Sequence, residues 1–336
     1  MGSVCMSKTE SLRIVGIGSN LESQIALEGL IGHPVPVAAL VTLPPHGSEN
    51  VCDYVDLHAF CEQHAIEAID TTNINSPQTL ERLRQIRPDY VFTLGWSQIF
   101  SPELLAIPSG YIVGSHLAPL PEGRGRAPVP WTILQGISRT AMSLFRMNPG
   151  VDSGDILLQK WFDVAPDAYA MDVYLRAAEC LRDGYCELYD RLAQGEVISP
   201  IAQDPSRASH RAKRVPADGH LDFHRSSEQL YRLIRAASRP YPGAYTYYKG
   251  RKVIVWKARL SDLPSYVGVP GQILHRGSQG LLVQCGDGPL WLSEWQLGAN
   301  AGQMKFVVGH KFGYALEDEI NALHRELEEL RKRLES

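Results

Sequence analysis

Leu12-Arg13-Ile14-Val15-Gly16-Ile17-Gly18-Ser19 is a short apolar run closing on glycines. SNLESQIALEGLIG (19–32) follows at once, with apolar residues at helical spacing. A strand, a tight turn and a helix in that order open an alternating chain. The alternation continues. Val35–Leu43 reads as a second strand stopped by Pro44-Pro45, and Asp53–His64 and Thr79–Ile86 read as helices. Pro88-Asp89-Tyr90-Val91-Phe92-Thr93-Leu94 reads as a buried strand and Tyr111-Ile112-Val113 as another. Strands separated by helices imply an α/β fold with a doubly wound, mostly parallel sheet, whose ligands collect at the carboxyl ends of the strands. The turn itself, Gly16-Ile17-Gly18-Ser19-Asn20-Leu21, lacks the third glycine of a dinucleotide loop, and no acid closes a second strand at Val37–Val41. It reads as a tight strand-to-helix turn.

The chain has 336 residues, room for about two domains of ~100–200 residues each. Hydrophobic residues make up 44% and charged residues 21%, which supports a buried core and excludes a disordered or rod-like chain. The net charge of −4 is unlike that of a protein living on a nucleic-acid backbone. Cys5, Cys52, Cys61, Cys180, Cys186 and Cys285 are widely spaced with no CxxC, so reduced thiols fit better than a zinc knuckle or disulfide framework. MGSVCMSKTESLRI (1–14) lacks an apolar core, and no run of ~18 apolar residues occurs, so neither signal peptide nor membrane span is expected. The expected location is the cytoplasm.

Ser199–Gly219 (SPIAQDPSRASHRAKRVPADG) is polar and rich in breakers, the composition of a surface linker. Beyond it a helix at Ser226–Ser238 precedes short β-like runs at Tyr245–Tyr248, Lys252–Trp256, Gly271–Leu274, Leu281–Cys285 and Leu290–Leu292, a pattern suggesting a small barrel. Residues 205–260 hold 13 Lys/Arg against 3 Asp/Glu, a solvated basic face or an anion-attracting one. Leu316, Ile320, Leu323, Leu327, Leu330 and Leu334 follow 4-3-4-3-4 spacing between charges, an a/d seam that packs on its own domain or forms a dimer interface. The expected domains are therefore 1–200 (catalytic), 201–312 (small β-barrel) and 313–336 (amphipathic helix), in a homodimer.

Chemistry concentrates in Tyr111–Leu158, YIVGSHLAPLPEGRGRAPVPWTILQGISRTAMSLFRMNPGVDSGDILL. His116 falls just past a strand, and a loop with Pro119, Pro121, Gly123, Gly125 and Pro128 follows. Proline stiffens such a loop, and glycine lets its backbone approach a ligand. Arg124 and Arg126 offer two guanidiniums to an anion. Asp152 lies in a second turn-rich stretch, Asn148-Pro149-Gly150-Val151-Asp152-Ser153-Gly154-Asp155. A histidine with a carboxylate partner is the minimum equipment for proton transfer near neutrality. Taken alone, a loop histidine and a capping aspartate would look much the same.

The surrounding residues are more specific. His116, Leu120-Pro121, Arg124-Gly125-Arg126-Ala127-Pro128, Trp131 and Val151-Asp152-Ser153-Gly154-Asp155-Ile156 resemble the family of formyltransferases that use 10-formyltetrahydrofolate, closest to the sugar-nucleotide N-formyltransferases. Arg87-Pro88-Asp89 and Gly95-Trp96-Ser97-Gln98-Ile99 look like that family's folate-side strand and loop. Pro216-Ala217-Asp218-Gly219, Ile234-Arg235-Ala236 and Arg239-Pro240-Tyr241-Pro242-Gly243-Ala244-Tyr245 resemble its carboxy-terminal domain, which is OB-like. The likeness spans about residues 12–300.

It implies a Rossmann-like catalytic domain and formyl transfer from 10-formyltetrahydrofolate to an amine. His116 would move the proton, with Asp152 beside it. Gln98, Ile99 and Phe100 would contact the pterin, and Asn148, Pro149, Gly150 and Val151 would line the cofactor pocket. Arg124 and Arg126 would meet the substrate. The family's asparagine two residues before the histidine is here Gly114, so its oxyanion-donor role would fall to Ser115, to His116, to a backbone N–H or to water, or the transfer is slow or altered. The Arg124–Pro128 stretch points to a nucleotide-linked amino sugar as acceptor, since tRNA enzymes typically read RGAAP there. Methionyl-tRNA formyltransferase is the second reading, in keeping with the basic surplus, and a non-catalytic folate or nucleotide binder is the third. No metal is expected, and His210, His220 and His224 lack a companion carboxylate or cysteine set.

Overall fold

The computed structural model describes residues 12–49, 51–263, 266–298, 304–313 and 316–335. Cys5 and the start of the chain lie outside them, as does the side chain of Leu316. The chain divides into two compact units between Arg214 and Val215.

The first unit runs β1 (Ile14–Ile17), α1 (Leu21–Gly32), β2 (Val37–Thr42), α2 (His58–Gln63), β3 (Glu67–Asp70), α3 (Pro77–Ile86), β4 (Tyr90–Thr93), α4 (Pro102–Leu105) and β5 (Tyr111–Leu117). It continues through β6 (Arg124–Gly125), α5 (Pro128–Leu134), β7 (Arg139–Arg146), β8 (Ile156–Asp163), α6 (Ala170–Ala193) and β9 (His210–Arg211). Seven strands form one sheet in the order β3-β2-β1-β4-β5-β7-β8. Pairing is parallel from β3 to β5 and antiparallel from β5 to β8. The doubly wound reading is therefore correct. Strand order reverses direction between β1 and β4, where such sheets open a crevice at the carboxyl ends.

The turn after β1 is held by its own side chains. The Asn20 side chain caps α1 by accepting the Ser23 N–H at 2.9 Å, and the Ser23 hydroxyl turns back onto the Leu94 carbonyl at 2.5 Å. A Cβ at Gly18 would sit 2.2 Å from that hydroxyl, so glycine is needed there for helix–strand closeness. One face of the sheet packs Val15, Ile17, Val91 and Ile112 against Leu80 and Leu83 of α3. The other receives α6, whose buried Tyr185 stacks on Phe92 at 4.5 Å and donates to the Thr93 carbonyl at 2.7 Å. That contact ties α6 to the strand ends that carry the site.

Residues 199–219 depart from the linker expectation. Ile201 exchanges backbone hydrogen bonds with Ile156, and β9 pairs in parallel with β6, so the segment is strapped to the first unit up to Arg214 rather than leaving it near 200. Its pairing partners lie dozens of residues upstream, a contact that local composition does not reveal.

The second unit carries α7 (Ser227–Ala237), β10 (Ala244–Tyr248), β11 (Arg251–Leu260), β12 (Ile273–Gly277), β13 (Gly280–Gln284), β14 (Pro289–Leu297) and α8 (Leu316–Glu335). Its strands form an antiparallel sheet in the order β10-β11-β14-β13-β12. Ser226 caps α7 by accepting the Gln229 N–H. Along α8, Ile320, Leu323, Leu327, Leu330 and Leu334 are all exposed. No described helix is long and apolar enough to cross a membrane.

Candidate active site

Near its end β5 carries two successive residues that face opposite ways, because side chains alternate along a strand. Ser115 turns toward α6 and donates its hydroxyl to the Thr93 carbonyl at 2.8 Å. His116, nine-tenths buried, turns to the other face and meets the loop that follows it. The structure does not bring Ser115 to His116, and the hydroxyl is already committed.

His116 Nε2 lies 2.8 Å from the Gly123 carbonyl. A carbonyl only accepts, so Nε2 carries the hydrogen and Nδ1 is the position left to gain or lose a proton. Nδ1 faces Asp152 Oδ2 at 3.6 Å. The same Oδ2 accepts the Gly125 N–H at 2.8 Å, so one loop orients both partners. Gly125 is required for this: its φ is +109°, and a Cβ would lie 2.4 Å from the Arg211 carbonyl oxygen. Asp152 has φ +48°, a left-handed conformation that aspartate tolerates better than most residues.

The Gly114 position is full. A Cβ there would lie 2.6 Å from Phe145 Cζ and 2.8 Å from Met147 Cγ, so the space an asparagine would occupy belongs to two side chains of the neighbouring strand and its exit. The two arginines diverge. Arg124, nine-tenths buried, donates from Nε and Nη2 to Gln203 Oε1 and so is turned into the protein, whereas the Arg126 side chain is exposed. Of the two, Arg126 is the one open to solvent.

The loop after β4 is pinned from within. Gln98 accepts the Ile74 N–H at 2.9 Å and donates to the Thr72 carbonyl at 2.9 Å, and Phe100 belongs to the core. Ile99 stands 68% exposed, and Val151 on the β7–β8 connection 49% exposed. Asn148 shapes that connection by accepting from the Gly150 N–H and the Ser153 hydroxyl. Pro149 and Gly150 are exposed beside it. Both of these apolar side chains stand in solvent on loops bordering the sheet. Trp96 packs on the core, and Trp131 Nε1 donates to the Ala212 carbonyl.

Two further features lie apart from the pair, and the second is at the β3 edge of the sheet, four strands from β5. Glu22, at the start of α1, sits at the β1/β4 crevice, and burial together with the nearby Asp53 pushes its carboxyl up to about 7. A cavity of about 350 Å3 opens at the end of β3, lined by residues that include Asp70, Thr72 and Asn73. Its Thr71, Ser76 and Thr79 hydroxyls bond to one another or to backbone. No group of three or more His, Cys, Asp or Glu able to hold a metal occurs among the described residues.

Sequence reading found His116 and Asp152 but missed what orients them. The Gly123 carbonyl and Gly125 N–H are backbone groups with no side-chain signature, and Gln203 sits in the stretch read as linker.

Residues 13–188 match the formyl transferase family model, and residues 213–308 match that of the formyl transferase C-terminal domain. Methionyl-tRNA formyltransferase of Acetivibrio thermocellus is 29% identical over 310 residues, covering 90% of this chain and 98% of its own. That of Citrifermentans bemidjiense is 30% identical over 288 residues, covering 85% and 89%. Among solved structures, the sugar 3N-formyltransferase WlaRD superposes with a TM-score of 0.61 at 15% identity, covering 87% of this chain and 99% of that one. HypX of Aquifex aeolicus superposes with a TM-score of 0.63 at 15% identity, and the match spans 85% of this chain but only 44% of HypX. At such identities the structural likeness shows the fold alone. The family matches together span most of the described residues, and the chain belongs to the formyl transferase family, folate-dependent enzymes whose formyl donor is 10-formyltetrahydrofolate.

Proposed function

We propose that this formyltransferase acts on the amine of a small, nucleotide-linked amino sugar, with His116 and Asp152 as its proton-transfer pair. The observation that carries the acceptor class is Arg126. It projects into solvent from the loop whose backbone binds both His116 and Asp152, at the position where tRNA enzymes typically carry alanine, and a guanidinium there suits the phosphates of a nucleotide-linked acceptor.

The formyl donor supplies an activated one-carbon amide, with Ile99 and Val151 as the apolar surfaces that would receive its ring. The acceptor nitrogen must shed a proton as it bonds to the formyl carbon, and the donor's carbon–nitrogen bond then breaks, its nitrogen leaving as the amine with a proton that balances the one removed. Nδ1 of His116 is the lone pair placed to take it, because Nε2 is fixed on the Gly123 carbonyl. Asp152 Oδ2 then faces the imidazolium. A positioned base of this kind is worth about 10²–10⁴ in rate.

The second reading, methionyl-tRNA as acceptor, is favoured by the sequence relatives and by the basic surplus in residues 205–260. Much of that surplus is spread over rings within its own unit. Arg235 lies over Tyr231, Arg239 over Trp256, Lys249 over Tyr248, Lys252 over Tyr245 and Arg259 over Trp291. Cations held in this way are less free to follow a phosphate backbone.

The test incubates the purified chain with 10-formyltetrahydrofolate and a panel of nucleotide-linked amino sugars, with initiator Met-tRNA as the alternative acceptor. His116→Ala and Asp152→Asn serve as controls. Turnover of a sugar that both substitutions suppress is the expected result. Formylation of the tRNA alone, with tight salt-sensitive binding, would establish the second reading. Folate binding without transfer to any acceptor would leave a non-catalytic relative.

We further propose that α8 pairs with α8 of a second copy. Ile320, Leu327 and Leu334 occupy a positions and Leu323 and Leu330 d positions, which places Glu326 at g opposite Arg331 at e of a parallel partner. Leu323→Lys/Leu330→Lys should convert a dimer to a monomer by light scattering, and a monomeric wild type would refute the pairing.

A further inference from the structure

Asp152 sits in a left-handed conformation, which for a residue other than glycine persists only when its surroundings hold it. Its carboxylate contacts do not fix the peptide on which it rides. That peptide is held by Gln203, whose Nε2 donates to the Asp152 carbonyl at 2.9 Å and to the Gly154 carbonyl at 2.6 Å. Gln203 is held in turn. Its Oε1 accepts from Arg124 Nε at 3.1 Å and Nη2 at 2.7 Å, so both ends of the amide are engaged. The Ile201–Ile156 bridge delivers the glutamine, and Arg124 comes from β6, one residue before the Gly125 N–H that Asp152 accepts.

We propose that Gln203, oriented by Arg124, is a positioning residue that sets Asp152 against His116. This deepens the His116–Asp152 reading above and rests on it. Arg124 then acts through Gln203 and makes no substrate contact. The amide is needed because it is donor and acceptor at once. A carboxylate at 203 keeps the Arg124 contact but turns an oxygen toward two carbonyl oxygens.

Gln203→Glu is therefore the decisive variant, compared with Asp152→Asn and the double variant in the full chain. Two readouts are taken. Amide hydrogen exchange at Gly125, followed by NMR, needs no acceptor. Gln203→Glu should speed it at least tenfold, and the double variant should exchange no faster than Asp152→Asn alone. With the acceptor found by the panel above, Gln203→Glu should lower kcat at least tenfold in the wild-type background and less than twofold in the Asp152→Asn background. A merely structural role would lower kcat equally in both. Arg124→Lys, which keeps one of the two bonds, should give a smaller loss that also disappears with Asp152→Asn, and it serves if Gln203→Glu does not fold.

Unchanged exchange at Gly125, or equal losses in both backgrounds, overturns the proposal. Asp152→Asn without effect on kcat, or no transfer to any acceptor, overturns instead the reading on which it rests, and the exchange measurement still decides whether Gln203 positions Asp152.

Discussion

Restoring the family's asparagine by Gly114→Asn should harm this protein rather than improve it. The new Cβ would lie 2.6 Å from Phe145 Cζ and 2.8 Å from Met147 Cγ, both well inside contact distance, and the site is buried between β5 and β7. Overpacking of this kind costs about 1–3 kcal/mol. For a unit of roughly 200 residues each kcal/mol moves the midpoint by about 2–4 °C, so a fall of roughly 2–12 °C is expected. Scanning fluorimetry reads that shift, and kcat should not rise, because the amide can enter only by displacing Phe145 or Met147. Phe145→Leu in the same chain should recover part of the lost midpoint, although alone it leaves a cavity and lowers stability. A Gly114→Asn protein with wild-type midpoint and a tenfold higher kcat would refute the claim that those two side chains hold the space.

Gly125→Ala should cost both stability and activity, since its Cβ would meet the Arg211 carbonyl oxygen at 2.4 Å and the N–H that Asp152 accepts would have to move; a kcat within twofold of wild type would contradict this. Glu22 has a folded pKa of about 7, above its unfolded value, so the folded state binds the extra proton and loses stability as pH rises from about 4.5 through 7. Glu22→Gln should remove that loss, and its midpoint advantage over wild type should grow between pH 5 and pH 8 in thermal melts. Burial pushes the Cys61 thiol up to about 11 and the Cys285 thiol up to about 12, whereas Cys52 is exposed. Ellman's reagent should thus label Cys52 before Cys61 and Cys285 in the native protein, with mass spectrometry locating the adduct.

How much of this was legible in the sequence follows from the range of the interactions involved. The β1 turn was legible because Gly18, Asn20 and Ser23 contact one another within six residues, and periodicity alone marks the helix beyond. Local pattern does not reveal β7, β8 and α6, and the place of Arg139–Arg146 and Ile156–Asp163 in the sheet comes from long-range pairing with β5 and with each other. At the site, His116 and Asp152 stood out by residue type. Arg124 stood out too, but its chemistry does not say which way a guanidinium turns, and here a glutamine 79 positions later takes it inward. Gly114 marked a missing group, and only packing shows that Phe145 and Met147 fill the gap. The surroundings of the His116–Asp152 pair are thus built from two distant segments, 116–128 and 201–211, that meet through Gln203, Ser209 and Arg211. It follows that cutting or lengthening the chain within 201–211 should abolish transfer while leaving the central sheet folded, whereas an insertion beyond Arg214, past the last of those contacts, should not.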